Sequence, residues 1–340
     1  MRLFLAVTVI ASHAFALLGQ YNNEPLFRLS RGQIDGGIAA VDGFFAISGY
    51  LITSSWLNCS GLLDFLRRRA FRIYPGFIVT LLLCALVVGP LAADNVFAYF
   101  GQRDFIQFIH RPLMFREIYA IQHIFSDNPI KGVPNASLWT IRFELMCYLL
   151  VAVLGLIGLL RRPLVVLAAF LACWGVHLFW NGALQLPFID HLDPLPRLAT
   201  YFLAGSVFFL FRDRIPFSPW IAAVSALALA AACFGGMNAV FPILGTYLLF
   251  WLAFHPRIPL HNAARFGDFS YGTYLFAYPV GQLLVHWFPN AWSPLTLFIA
   301  SAAGTLPLAV ASWYCVERPF LKKKKKPVPA VAAAPVPVPV

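Results

Sequence analysis

Apolar runs of membrane-crossing length recur from one end of this chain to the other. A bilayer-spanning helix needs about 20 predominantly apolar residues. Ten such windows, with a few short ones among them, fall at roughly 3–19, 38–57, 73–92, 138–159, 163–180, 196–211, 219–235, 238–254, 269–288 and 294–315. Of the 340 residues 60% are hydrophobic and only 11% charged, against about 25% charged in soluble domains. The expectation is an all-α, polytopic transmembrane bundle of about ten spans.

Charge placement orients such a bundle, because loops on the cytoplasmic side collect Lys and Arg. If Arg2 lies inside, alternate loops hold Arg67, Arg68, Arg69, Arg72, then Arg161, Arg162, then Arg212, Arg214, then Arg257, Arg265, and finally Arg318 with Lys322–Lys326. These make 17 of the 25 basic residues, and both termini are predicted cytoplasmic. The net charge of +11 is therefore a matter of membrane orientation, and no nucleic-acid partner is expected. The polar stretch 93–137, with Phe105, Phe108, His110, Tyr119 and His123, reads as interfacial helices on the outer leaflet. Two parts follow: a membrane-embedded bundle over 1–320, and a tail over 321–340, polybasic and then Pro/Val-rich (PVPAVAAAPVPVPV), which should stay extended and unpacked.

Other classes fit poorly. The cysteines, Cys59, Cys84, Cys147, Cys173, Cys233 and Cys315, are scattered without CxxC or metal-ligand spacing, so they read as small core residues and no metal is expected. The first apolar run lacks a clear A-x-A cleavage site and is interrupted by His13, which favours a retained helix over a signal peptide.

Ionisable side chains inside spans are costly and usually mark a site. Those here are His13, Asp42, Arg142 and Glu144, with Ser48 as a polar companion. In MRLFLAVTVIASHAFALLGQ, Arg2 and His13 are eleven residues apart, which is three turns plus about 20° and about 16 Å of rise. They share one face, with the cation at the membrane edge and the imidazole near mid-depth. Counting 1.5 Å per residue puts His13, Ser48 and Glu144 within about one turn of each other in depth, which points to a shared polar cavity. Arg142 and Glu144, at i and i+2, diverge around their helix, so each needs a partner elsewhere. Depth suggests Asp42 for Arg142 and His13 for Glu144. Arg69 and Arg72 form an R-x-x-R pair on one helical face, which suits either a phosphate-bearing ligand or plain positive-inside anchoring. In FFAISGYLIT, Gly49 allows close approach of another backbone or of a ligand.

Six segments together resemble acyltransferase family 3, the integral-membrane O-acyltransferases that modify bacterial surface polysaccharides and related glycans. They are Arg2-x10-His13, VDGFFAISGYLI (Val41–Ile52), FLRRRAFRIYP (Phe65–Pro75), NASLWTIRFELMCYLL (Asn135–Leu150), FSYGTYLFAYPV (Phe269–Val280) and WYCVERPFLK (Trp313–Lys322). Arg142 stands where that family usually has proline or a small residue, and Ala277 where it often has histidine. The chain begins almost at Arg2, without an LDGLRA-like leader, and carries no hydrolase-like extension, so it resembles the stand-alone type.

The resemblance implies a multi-pass protein of the bacterial inner membrane that moves a short acyl group from acetyl-CoA, or another short acyl-CoA, to a hydroxyl of a glycan or lipid-linked saccharide. His13 would be general base or acyl carrier, and Glu144 would orient it or bind acceptor. Arg69 and Arg72, with Arg2, would hold CoA phosphates. Asp42, Ser48, Gly49, Tyr50, Trp139 and Arg142 would shape the substrate cavity. Midplane charges also fit a secondary transporter or flippase, but no inverted duplication is visible. The acceptor and the oligomeric state stay open.

Overall fold

The computed structural model describes residues 1–114, 116, 120–180, 194–256, 258 and 267–321. The described residues form helices joined by turns, with no strand beyond a single bridge between Ala93 and Ile124. The principal helices are α1 (Arg2–Leu17), α2 (Gly36–Leu57), α3 (Leu62–Leu83), α4 (Arg103–Leu113), α5 (Thr140–Leu156), α6 (Pro163–Trp180), α7 (Pro194–Leu210), α8 (Pro219–Ala232), α9 (Thr246–Phe254), α10 (Ser270–Trp287), α11 (Pro294–Ser312) and α12 (Arg318–Leu321). Each of the ten apolar windows coincides with helix. Five helical stretches among the described residues are long and apolar enough to cross a membrane: Gly36–Leu57, Leu62–Leu91, Ala136–Leu156, Met237–Phe254 and Pro294–Leu321. Shorter apolar helices, including Arg2–Leu17 and Pro194–Leu210, stand beside them.

One boundary is extended. The arginine block, with Arg69 and Arg72 on one helical face as expected, belongs to the same helix as the third window: α3 starts at Leu62 and runs on through a π-helical turn, Cys84–Val88, to Leu91. Asp64 explains the early start: an acid in the first turn complements the helix dipole and pairs with Arg68 four residues on, at 2.5 Å. The arginines therefore have fixed helical directions rather than the freedom of a loop.

Local chemistry sets the other termini near the site. Asp35 caps α2, its Oδ1 accepting from the Ile38 N–H at 2.8 Å. Asn135 caps the 3-10 turn ahead of α5 and donates to the Leu275 carbonyl at 2.8 Å, tying that entry to α10. α10 is buried on nearly all sides, as a central helix should be when apolar residues surround it. α1 packs against α2, α10 and α11. The stretch over the far end of the bundle carries Val96–Gly101 and α4, with Tyr99 and Phe108 buried while Phe97 and Ile106 are exposed, and Gln282 of α10 holds it by donating to the Ile130 carbonyl at 2.9 Å. Tyr119, Arg257, Arg265 and the tail with Lys322–Lys326 lie outside the described residues.

α2 and α7 pack backbone against backbone, and glycine makes this possible. A Cβ on Gly49 would sit 1.8 Å from the Phe202 carbonyl oxygen, and one on Gly205 would sit 1.8 Å from that of Ala46. Ser206 donates to the Gly49 carbonyl at 3.3 Å, across the contact. Gly49 is thus a helix-packing residue and not a cavity-lining one, the outcome small residues usually have between membrane helices. Gly49→Ala is expected to lower stability by about 3 kcal/mol, the upper part of the range for overpacking, read as a lower thermal midpoint of the detergent-solubilised protein.

Candidate active site

Arg2 at the start of the chain and Leu321 near its end line the same cavity, of about 720 Å³, so both described ends of the chain sit at one face of the bundle. Five guanidiniums line it: Arg2 from α1 and Arg67, Arg68, Arg69 and Arg72 from α3. Asp64 and Glu144 are the acids in the lining, with Ser48, Tyr148, Tyr271 and Phe320 among the other walls.

These arginines are not equivalent. Arg72 donates to Asp268 and, at 3.4 Å, to Glu317; Arg2 reaches Asp268 at 3.5 Å. Ser270 donates to Asp268 at 2.5 Å and Ser312 to Glu317 at 3.1 Å. Arg68 is held by Asp64, and Arg67 lies over the Phe71 ring at 5.3 Å. Arg69 meets no carboxylate among the described residues. Its Nη2 reaches the Ser55 hydroxyl at 3.4 Å, its Nε is buried without a partner, and its guanidinium lies 6.0 Å from the Tyr148 ring. Of the R-x-x-R pair, then, Arg69 has donors to spare, whereas Arg72 is already engaged.

Glu144 stands at the inner end of the cavity, accepting from Ser48 at 3.4 Å and from the Tyr148 hydroxyl. The depth count for Ser48 and Glu144 is matched by that contact. The partner guesses are corrected. Glu144 bonds Ser48 and Tyr148, not His13, and Asp42 is buried against Arg197 of α7 at 3.4 Å, not against Arg142. Rise along a helix is set by geometry, but which neighbour a side chain faces is not, so equal depth did not mean contact.

His13 is partly exposed and lines neither the basic cavity nor its narrow inner extension. Its ring meets Tyr278 of α10 edge-to-face at 5.1 Å, and its Nδ1 is buried without a hydrogen-bond partner. The neighbouring Ser12 donates to Asp35 at 3.2 Å, and Tyr21 donates to the same carboxylate at 2.7 Å, which places an acid beside this end of α1. Tyr50 is packed among Phe209, Phe250 and Phe254 rather than in the cavity. Trp139 and Arg142 line a separate pocket of about 190 Å³ together with Arg116, and the Arg142 guanidinium lies over the Phe143 ring at 4.5 Å.

Sequence reasoning passed over Asp268 and left Glu317 without a role. Glu317 stood in view within WYCVERPFLK, and Asp268 immediately precedes FSYGTYLFAYPV. A surplus of arginines with two helix-edge acids nearby was the available signal.

A bundle of apolar helices with five guanidiniums around a cavity at one face can hold an anionic ligand. The family model described as an acyltransferase domain matches residues 1–314, and the chain belongs to that family. It is 29% identical to an O-acetyl transferase of Shigella phage Sf6, over 95% of each chain, and 27% identical to nodulation protein 10 of Rhizobium leguminosarum bv. viciae, over 95% of this chain and 92% of the other. It is 23% identical to the O-acetyltransferase OatA of Staphylococcus aureus, covering 91% of this chain and 56% of that one. No solved structure matches it.

Asp268 supplies a pH test of the cluster. Burial pushes its carboxyl up, but the Arg2 and Arg72 guanidiniums outweigh that and hold it down at about 2. A carboxyl held below its ordinary value of about 3.9 stabilises the folded state above that pH and loses the contribution as pH falls through about 2. The stability difference between wild type and Asp268→Asn should be full above about pH 4 and shrink toward pH 2, as followed by thermal unfolding across that range.

Proposed function

We propose that this chain transfers an acetyl group from acetyl-CoA to a hydroxyl of a cell-surface or exported glycan. It works as a ten-span protein of the bacterial inner membrane with both termini in the cytoplasm. The observation that carries the donor half is the basic cavity of about 720 Å³ at the face holding the chain ends. Guanidiniums bind phosphate by paired, charge-assisted hydrogen bonds, and Arg69, with its uncommitted donors, is the first to meet the CoA phosphates. Arg2 and Arg72 complete the field and exchange part of their contact with Asp268 and Glu317 for the ligand. The thioester end then points up the cavity toward Glu144. The family relationship and the O-acetyltransferase relatives support acyl transfer over the transporter alternative.

The acceptor approaches from the far end. His13 takes the proton of the acceptor hydroxyl while its oxygen attacks the thioester carbonyl. The C–S bond breaks, and the proton held on the His13 imidazolium passes to the departing CoA thiolate, which restores the neutral base. A neutral imidazole suits a base working near neutral pH. Glu144, fixed by Ser48 and Tyr148, is a positioning residue at the donor side, and Arg142 and Trp139 flank the acceptor side from their own pocket.

His13→Ala should keep the protein folded in the membrane and cut transfer by about 10²–10⁴-fold, the usual contribution of a general base. Labelled acetyl incorporation into the isolated glycan measures it, and full turnover in that variant would remove His13 from the mechanism. Arg69→Ala should raise the acetyl-CoA KM by about tenfold or more, the loss of one charged hydrogen bond, with little change in kcat.

A further inference from the structure

Past Glu144 the basic cavity narrows into a chamber of about 40 Å³. Arg2, Ser48, Glu144 and Tyr271 line both spaces, so the chamber is the cavity's inner end. Its far wall includes Phe44 of α2, Thr140 and Ile141 of α5, and Tyr274 of α10. The wall is braced on two sides. The Tyr274 ring meets Phe44 at 5.7 Å in an edge-to-face contact, and its hydroxyl lies 2.9 Å from that of Thr140. One turn further along α10, Tyr278 meets His13. Tyr274 at the chamber wall is thus one helical turn from the residue that meets the imidazole.

The size of the chamber is informative. At about 40 Å³ it is a small fraction of the about 720 Å³ of the cavity that leads to it, room for a small group only. An acetyl group is such a group: methyl carbon, carbonyl carbon and carbonyl oxygen. The chemistry of the wall matches as well. Phe44 and Ile141 offer apolar surface to a methyl, and the Thr140–Tyr274 hydroxyl pair, which uses one of its two hydrogens on itself, has the other for a carbonyl oxygen. We propose that this chamber is the acyl pocket, and that Phe44, Ile141 and Tyr274 limit the donor to acetyl. The proposal rests on the acyl-CoA reading above and adds to it the residues that set acyl length.

The test uses the full-length protein in lipid nanodiscs, with acetyl-, propionyl- and butyryl-CoA as donors and CoA binding measured in parallel by displacement of labelled acetyl-CoA. A pocket that excludes a methylene discriminates by about 10- to 200-fold. Wild-type kcat/KM should therefore fall at least about tenfold for each added methylene, and Phe44→Ala should bring butyryl-CoA to within about threefold of acetyl-CoA. Ile141→Ala opens the same wall from α5 and should relax selectivity in the same direction; it decides the matter if Phe44→Ala does not bind CoA. Wild-type protein that uses acetyl and butyryl donors alike overturns the acyl pocket and leaves the donor reading standing. So do CoA-binding variants of both residues that keep the acetyl preference. Wild-type protein that binds no CoA overturns both.

Discussion

The structure depends on a cluster of two carboxylates and two guanidiniums that joins the beginning, middle and end of the chain. Asp268, just ahead of α10, meets Arg2 of α1 and Arg72 of α3, and Arg72 also meets Glu317 at the end of the last long helix. Buried ion pairs repay their desolvation only when further hydrogen bonds satisfy the remaining lone pairs, and Ser270 and Ser312 supply those bonds here. The π-helical turn Trp313–Glu317 belongs to the same arrangement, since such a turn shifts the helical register next to the residue that completes the cluster. In consequence three of the five arginines around the cavity, Arg2 and Arg72 in the cluster and Arg68 through Asp64, are partly neutralised before any ligand arrives. Arg67 and Arg69 meet no carboxylate among the described residues.

That division of labour explains which parts of the site could be read without coordinates. The ten apolar windows were legible because hydrophobic length is a one-dimensional property, and each falls on helix. Ser48 and Glu144 were legible for a related reason: helical rise converts residue count directly into depth, and the two side chains do meet. What depth could not supply was direction around the axis. Asp42, Arg142 and His13 lie at depths that allow the guessed pairings, yet Asp42 faces α7, Arg142 turns to a pocket beside Arg116, and His13 faces Tyr278. Arg197 is the partner of Asp42 because α7 begins at Pro194 and carries it there. The third window began at residue 73, past the arginine block, for a different reason. Hydropathy registers where a helix becomes apolar, not where it starts, and Asp64 marks the true beginning.

Glycine placement shows the same limit from the other side. Gly49 invited two readings, close approach of a backbone or of a ligand, and nothing within FFAISGYLIT separates them. The deciding information was in α7, where Gly205 and Ser206 form the complementary face. Two helices that approach through paired glycines bring their backbones into contact, and this fixes the rotation of α2. That rotation turns Ser48 into the cavity while Gly49 and Tyr50 point away from it. The packing of α2 on α7, some distance from any reacting atom, therefore sets the polar group that contacts Glu144.

The remaining question is how a protein can admit a charged donor from one face and an acceptor from the other without becoming an open passage. A continuous polar channel through a bilayer would leak ions, and an exposed thioester would be lost to water. The tyrosines of α10 show how both are avoided. Tyr271, Tyr274 and Tyr278 fall at i, i+3 and i+7, one face of the helix, spanning about 10 Å of rise. Tyr271 lines the basic cavity, Tyr274 lines its inner end beside Phe44, and Tyr278 abuts His13 one turn further on. In the proposed reaction the acyl group waits below this barrier, and the imidazole is poised above it. Transfer then requires only a local displacement of Phe44 and Tyr274 rather than a rocking of whole bundles. Tyr274 is itself buried, its ring against Phe44 and its hydroxyl against that of Thr140, so in the proposed reaction the two compartments stay separate until that one side chain moves.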